Sequence, residues 1–163
     1  MIDTVFLDRD GVINYNRNDY VKNKNEFKII KNVPKAIKLL NSSNIKVIIV
    51  TNQSAISRGL LSIEELNKIH SYFKEELQKY DAKIDAIYYC PHKPENNCDC
   101  RKPKSGMILQ AAKDLNIDCK NSLLIGDRDS DIEAANNVGM KSIRIQTDGN
   151  LLEIIKLILH TNE

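Results

Sequence analysis

Two carboxylates one residue apart, Asp8 and Asp10, directly follow the short apolar run Thr4-Val5-Phe6-Leu7. A strand that ends in this pattern sends both side chains to one side, because strand side chains repeat every second residue. Like charges held that close repel, and a divalent cation or a raised pKa on one partner relieves the repulsion. Gly11 then permits a sharp turn and a close approach of backbone to a ligand. A carboxylate nucleophile, a second carboxylate for proton transfer and a bound Mg²⁺ together make a phosphoryl-transfer site. Taken alone, the pair is equally the pattern of two solvated surface acids. A second constellation sits at Cys90-Pro91-His92 and Cys98-Asp99-Cys100, three thiols and an imidazole within eleven residues. That set fills a tetrahedral Cys₃His shell, the composition of a structural Zn²⁺ site with no open position. Reduced surface cysteines beside a loop histidine are the alternative, but a Pro/Asn-rich loop with little apolar content gives four such ligands no other reason to crowd together. Zinc there pins the loop that leads into Arg101 and Lys102.

The elements that must position these groups alternate regularly. Apolar, β-branched runs at Thr4–Leu7, Lys46–Thr51, Ala86–Tyr89, Ser122–Ile125 and Lys141–Ile145 read as strands. Between them, helical spacing runs over Val33–Leu40, from the capping box at Ser62 to about Tyr80, over Gly106–Leu115 and Asp131–Val138, and finally over Leu151–Leu159. Strand–helix alternation of this kind predicts an α/β fold, a Rossmann-like parallel sheet sandwiched by helices. Ligands of such sheets bind beyond the carboxyl ends of the strands. The residues there are Asp8 and Asp10, Thr51-Asn52-Gln53, Cys90 with its loop, and Gly126-Asp127. The polar stretch 15–31 has no clear period and reads as a loop or flap over that edge.

At 163 residues the chain is expected to form a single domain, 1–163. Lysine and arginine number 24 against 22 acids, so there is no basic stripe of the kind nucleic acid binding needs. No leader-like segment and no apolar stretch of about 18 residues is present, which predicts a cytoplasmic protein with no membrane partner. No exposed apolar helix stripe stands out, and a monomer is expected. Cys119 reads as an ordinary thiol, and neither His70 nor His160 has an evident partner.

Four blocks carry a family resemblance, in order along the chain: Asp8-Arg9-Asp10-Gly11-Val12-Ile13-Asn14, Thr51-Asn52-Gln53-Ser54, Arg101-Lys102-Pro103 and Gly126-Asp127-Arg128 followed by Asp131. They resemble the motifs of the haloacid dehalogenase superfamily. Within it the chain is similar to the heptose bisphosphate and histidinol-phosphate phosphatases, on the strength of Thr51-Asn52-Gln53-Ser54-Ala55-Ile56-Ser57-Arg58-Gly59 and the cysteine block. The resemblance covers nearly the whole chain. It implies a fold without a large cap domain and with a zinc-binding loop. Asp8 is then the nucleophile, and Asp10 is the general acid and later the base. Mg²⁺ is held by Asp8, the backbone carbonyl of Asp10 and Asp127. Thr51 and Asn52 hold phosphoryl oxygens, and Lys102 neutralises their charge. Zn²⁺ takes Cys90, His92, Cys98 and Cys100. The substrate-loop positions are Asp19, Tyr20 and Lys22, with Gln53, Ser54 and Arg128 also on the substrate side. Arg58 and Arg101 are the candidates for a second, non-reacting phosphate, because a guanidinium grips phosphate as a fork. Asp131 either supports the metal or caps the following helix. Ala55 and Ser57 depart from the family's usual glycine and alanine; both side chains are small, so the geometry is expected to survive with a different substrate rim. The implied activity is a Mg²⁺-dependent phosphatase acting on a small phosphorylated sugar. Histidinol phosphate is the alternative substrate, and a zinc-stabilised binding domain is the non-enzymatic alternative.

Overall fold

In the computed structural model, which describes residues 1–160, five strands form one parallel sheet. They are β1 (Thr4–Leu7), β2 (Lys46–Asn52), β3 (Ala86–Cys90), β4 (Ser122–Gly126) and β5 (Lys141–Arg144). The spatial order is β3-β2-β1-β4-β5. The chain thus runs outward through β2 and β3, then restarts on the other side of β1. That reversal puts the switch point between β1 and β4, where Leu7 pairs with Ile125. The residues that follow, Asp8 and Asp127, emerge side by side at the position where such sheets bind ligands.

The strands are buried on both faces, and their alternation sorts the core into two layers. Val5, Leu7, Val47, Ile49, Leu123 and Ile125 face one layer, covered by α1 (Val33–Ser42), α2 (Ile63–Gln78) and α5 (Leu151–His160). Phe6, Ile48, Val50 and Leu124 face the other, against α3 (Gly106–Leu115) and α4 (Asp129–Asn136). Half of the expected capping box forms: Glu65 N–H donates to Ser62 Oγ at 3.1 Å, while the Glu65 carboxylate accepts from Lys68 Nζ. Most element ends lie within one or two residues of expectation, and one helix shifts as a whole. The helix expected over Asp131–Val138 spans Asp129–Asn136, because the chain turns into helix immediately after Arg128.

The 15–31 segment is more than a polar flap. Val21, Phe27 and Ile30 are buried in the core shared with α1, α2 and α5. Its ends are closed by backbone pairs, Tyr15 N–H to Lys28 O at 2.9 Å and Ile30 N–H to Ile13 O at 2.9 Å. Three apolar anchors thus fix a loop whose polar tip overhangs the carboxyl ends of the strands. Among the described residues no helix is long and apolar enough to cross a membrane.

Candidate active site

β1 ends at Leu7, so Asp8 and Asp10 do not share strand geometry, and the period-two expectation for their side chains does not hold. Residues 9–14 instead fold back on themselves. Ile13 N–H donates to Arg9 O at 2.7 Å and Gly11 N–H to Asn14 O at 2.8 Å. Gly11 sits at φ +88°, and a Cβ there would lie 2.4 Å from Asp127 Oδ2. Both acids still line one cleft of about 630 Å³, but each has its own counterion.

Asp8 is buried and receives Lys102 Nζ at 2.8 Å on Oδ1. The same ammonium lies 2.6 Å from Asp131 Oδ1 and donates to Val50 O at 2.8 Å. Lys102 is held by its neighbours: Asn52 Nδ2 donates to Lys102 O, and Lys102 N–H donates back to Asn52 Oδ1, at 3.1 and 3.0 Å. The Asn52 side chain therefore positions the lysine loop. Burial, with the charges of Asp131 and Asp10, raises the Asp8 carboxyl to about 7 against the downward pull of Lys102. Burial and the two acids together leave Lys102 above its ordinary value, the acids outweighing the desolvation.

Asp10 is clamped from three directions. Arg9 Nη2 and Asn14 Nδ2 donate to Oδ1 at 2.9 and 3.0 Å, and Gln53 Nε2 donates to Oδ2 at 2.9 Å. Burial pushes this carboxyl up, but the Arg9 charge and these donors outweigh it and hold Asp10 below the usual carboxylate range. Gln53 Nε2 also donates to Thr51 Oγ1 at 2.9 Å. Thr51 itself is fully buried and does not line the cleft.

The chemistry of the donor set fits a hard cation. One carboxylate oxygen from each of Asp8, Asp127 and Asp131 lies within 4.8 Å of the others. Asp127 Oδ2 accepts from Thr147 Oγ1 at 2.8 Å, while Asp127 Oδ1 is buried with no hydrogen-bond partner. An orphaned buried carboxylate oxygen is a position a cation would satisfy. Asp131 is already committed, with Oδ1 beside Lys102 and Oδ2 accepting from Arg128 N–H at 3.1 Å. It both caps α4 and backs the lysine, which leaves Asp8 and Asp127 as the ligands with free capacity.

The cysteine block fits zinc equally well. Cys90 Sγ lies 3.5 Å from Cys98 Sγ, and Cys100 Sγ lies 3.6 Å from Cys98 Sγ and 3.4 Å from His92 Nδ1. A tetrahedral shell with Zn–S of about 2.3 Å places its sulfurs roughly 3.8 Å apart. Cys98 is pulled down to about 6: burial opposes this, but the backbone N–H of Arg101 and the neighbouring thiols win, and a thiolate is the form that binds metal.

Comparison with known proteins decides the family. A profile described as HAD-hydrolase-like matches residues 99–154. The D-glycero-beta-D-manno-heptose-1,7-bisphosphate 7-phosphatase of Haemophilus ducreyi is 43% identical over 145 residues, covering 85% of this chain and 79% of that protein. The chain belongs to the heptose-1,7-bisphosphate 7-phosphatase family. The D-glycero-alpha-D-manno-heptose-1,7-bisphosphate 7-phosphatase of Campylobacter jejuni is 40% identical over 139 residues, covering 85% and 79% of the two chains. The crystal structure of the D,D-heptose 1,7-bisphosphate phosphatase from B. bronchiseptica, complexed with magnesium and phosphate, superposes with a TM-score of 0.94 at 30% identity, covering 98% and 99%.

Read as a heptose bisphosphatase site, the cleft gathers most of the residues expected of it. Asp8, Asp10, Tyr20, Asn52, Gln53, Ser54, Arg101, Lys102 and Arg128 all line it. Three expected substrate residues do not. Arg58 is exposed and lies outside the cleft lining, because the turn after Ile56 carries it outward. Asp19 and Lys22 also lie outside, paired with each other at 3.3 Å. Asp19 instead braces a residue the sequence reading missed: it accepts from Arg17 Nε and Nη2, both at 3.0 Å, and Arg17 lines the cleft. Arg9 and His70 were also missed. The guanidinium of Arg9 is buried, 5.5 Å from the Phe27 ring centroid, with Nη1 3.2 Å from His70 Nε2. Burial and the Arg9 charge lower His70 to about 3, so its ring is neutral.

Proposed function

We propose that this chain removes the 7-phosphate of D-glycero-D-manno-heptose 1,7-bisphosphate, in the supply of nucleotide-activated heptose. Asp8 is the nucleophile, and the enzyme depends on Mg²⁺ held by Asp8, the Asp10 carbonyl and Asp127. The observation that carries this reading is a buried carboxylate, Asp8, held 2.8 Å from the Lys102 ammonium at the floor of a cleft whose rim carries Arg17, Arg101, Lys104 and Arg128. One phosphoryl group is attacked at the floor, and the rim cations answer a second phosphate on the same sugar. Arg17, which lines the cleft where Arg58 does not, is the rim cation assigned to that phosphate beside Arg101.

In the first half-reaction an Asp8 oxygen bonds to phosphorus, the bond from phosphorus to the sugar oxygen breaks, and Asp10, held ionised by its donors in the free enzyme and taking up a proton as the anionic phosphate enters beside it, gives that proton to the leaving oxygen. Lys102 offsets the charge that gathers on the phosphoryl oxygens. In the second half-reaction Asp10 takes a proton from water, the water oxygen bonds to phosphorus, and Asp8 is released as a carboxylate. Bound magnesium supplies Lewis-acid neutralisation of the phosphoryl charge and keeps Asp8 ionised. The zinc loop acts by geometry. Arg101 Nη1 donates to His92 O at 3.1 Å, so a zinc held by Cys90, His92, Cys98 and Cys100 would also fix the cation at the rim.

The test compares phosphate release, with Mg²⁺, from both anomers of the heptose bisphosphate and from histidinol phosphate. A kcat/KM on one heptose anomer at least about a hundredfold above histidinol phosphate, about 2.7 kcal/mol of transition-state discrimination, supports the reading. A preference for histidinol phosphate moves the same chemistry to another substrate and overturns it.

A further inference from the structure

Arg9 is the largest of the fully buried side chains, and the reaction as described gives it no task. A guanidinium is costly to remove from water, and an apolar side chain of similar volume fills a core position with less penalty. Its hydrogen bonding is also incomplete: Nη2 donates to Asp10 and Nη1 to His70, while Nε is buried with no partner. Arginine offers only donors, so His70 Nε2 must be the acceptor and the ring proton must sit on Nδ1. His70 lies on the buried stripe of α2, between Ile69 and Phe73, and cannot reach the cleft itself. Phe27, from the anchored 15–31 loop, closes over the guanidinium. The far end of this chain of contacts is Asp10, whose side chain is 25% exposed and lines the cleft.

We propose that Arg9, seated by His70 and Phe27, is a positioning residue that holds the Asp10 carboxylate where it takes the proton from the attacking water, in the hydrolytic half of the reaction. The proposal rests on the two-step reading above. In that half, one water O–H bond breaks and its proton goes to Asp10. The water oxygen bonds to phosphorus, and the electron pair of the phosphorus–Asp8 bond returns to Asp8. A carboxylate displaced by a fraction of an ångström no longer meets that water at hydrogen-bond distance. The 3.2 Å contact from Arg9 to His70 fixes Arg9, and through it the Oδ1 side of Asp10, which Asn14 shares; Gln53 holds Oδ2.

The experiment uses p-nitrophenyl phosphate, whose leaving phenolate needs no proton, so that formation of the phosphoenzyme is blind to Asp10 and its breakdown is not. Stopped-flow release of p-nitrophenolate with Mg²⁺ then reads the two steps separately. His70→Leu is expected to slow breakdown by about tenfold or more while leaving formation within about twofold, so that the burst rises toward one per enzyme. His70→Gln, which keeps an acceptor for Arg9, is expected to restore most of the breakdown rate. Phe27→Leu, which removes only the ring face, repeats the test should His70→Leu fail to fold. Equal slowing of both steps, or failure of His70→Gln to rescue, overturns the proposal. Turnover at a rate near wild type by Asp8→Asn, which has no carboxylate to attack phosphorus, overturns the two-step reading itself, which separates that failure from this one.

Discussion

The sharpest consequence of the site concerns Lys102, whose ammonium stands between two buried acids. Lys102→Met keeps the length of the side chain and removes its charge. In the folded enzyme that charge lies 2.8 Å from Asp8 and 2.6 Å from Asp131, with the lysine side chain only 3% exposed. Removing one partner of a buried ion pair costs about 3–5 kcal/mol, because the acids left behind are neither solvated nor paired. For a chain of this size each kcal/mol moves the melting midpoint by about 2–4 °C, so the variant should melt roughly 6–20 °C lower in chelator. The pH dependence has a definite sign. The folded Asp8 carboxyl is already raised to about 7. A raised acid contributes stability that is full below its unfolded pKa, near 3.9, and lost as pH rises through the folded value. Without Lys102 the folded value rises further, so the deficit relative to wild type grows between pH 5 and pH 8. Mg²⁺ returns part of the stability by restoring positive charge beside Asp8. The assay is thermal unfolding by circular dichroism at both pH values, with chelator and with Mg²⁺. A deficit below about 1 kcal/mol, or one that shrinks as pH rises, would refute the charge argument.

Other consequences follow from the same geometry. Arg17→Ala removes a rim cation and should raise KM for the bisphosphate by about 10–100-fold, the worth of a hydrogen bond to a charged group, with little change on a monophosphate ester; steady-state kinetics on both substrates would show it. Gly11→Ala forces a side chain into the left-handed region at φ +88° and against Asp127, so it should lose stability by about 1–3 kcal/mol and bind Mg²⁺ more weakly, as read by calorimetry. The purified protein should carry one zinc per chain by atomic emission, and Cys100→Ser should lose that metal together with the ordered approach of Arg101 to the cleft.

What the sequence revealed, and what it did not, follows from the range of the interactions. The strands were legible because parallel strands buried on both faces must be continuous apolar runs, as Val47-Ile48-Ile49-Val50 is within β2. Asp8 and Asp127 were legible because each follows the end of an apolar strand, and Lys102 came with the family resemblance through Arg101-Lys102-Pro103. Arg9 was hidden because an arginine between two acids reads as a solvated charge, and only the docking of α2 and the 15–31 loop buries it. A signal for His70 did exist: it falls on the same helical stripe as Leu66, Ile69, Phe73 and Leu77. Arg58 was named and Arg17 was not, although Arg17 lines the cleft and Arg58 does not, because periodicity does not report which way a loop turns. The apolar residues Val21, Phe27 and Ile30, set in polar surroundings, were the clue that the 15–31 loop packs inward and carries Arg17 over the site.

The most direct test of the account follows the products of D-glycero-D-manno-heptose 1,7-bisphosphate by phosphorus NMR, with wild-type enzyme, Asp8→Asn and Mg²⁺. The account predicts that wild type converts the substrate to inorganic phosphate and heptose 1-phosphate, with the signal at C7 lost and that at C1 retained, and that Asp8→Asn leaves both signals intact. Loss of the C1 phosphate, or turnover by Asp8→Asn at a rate near wild type, would contradict it.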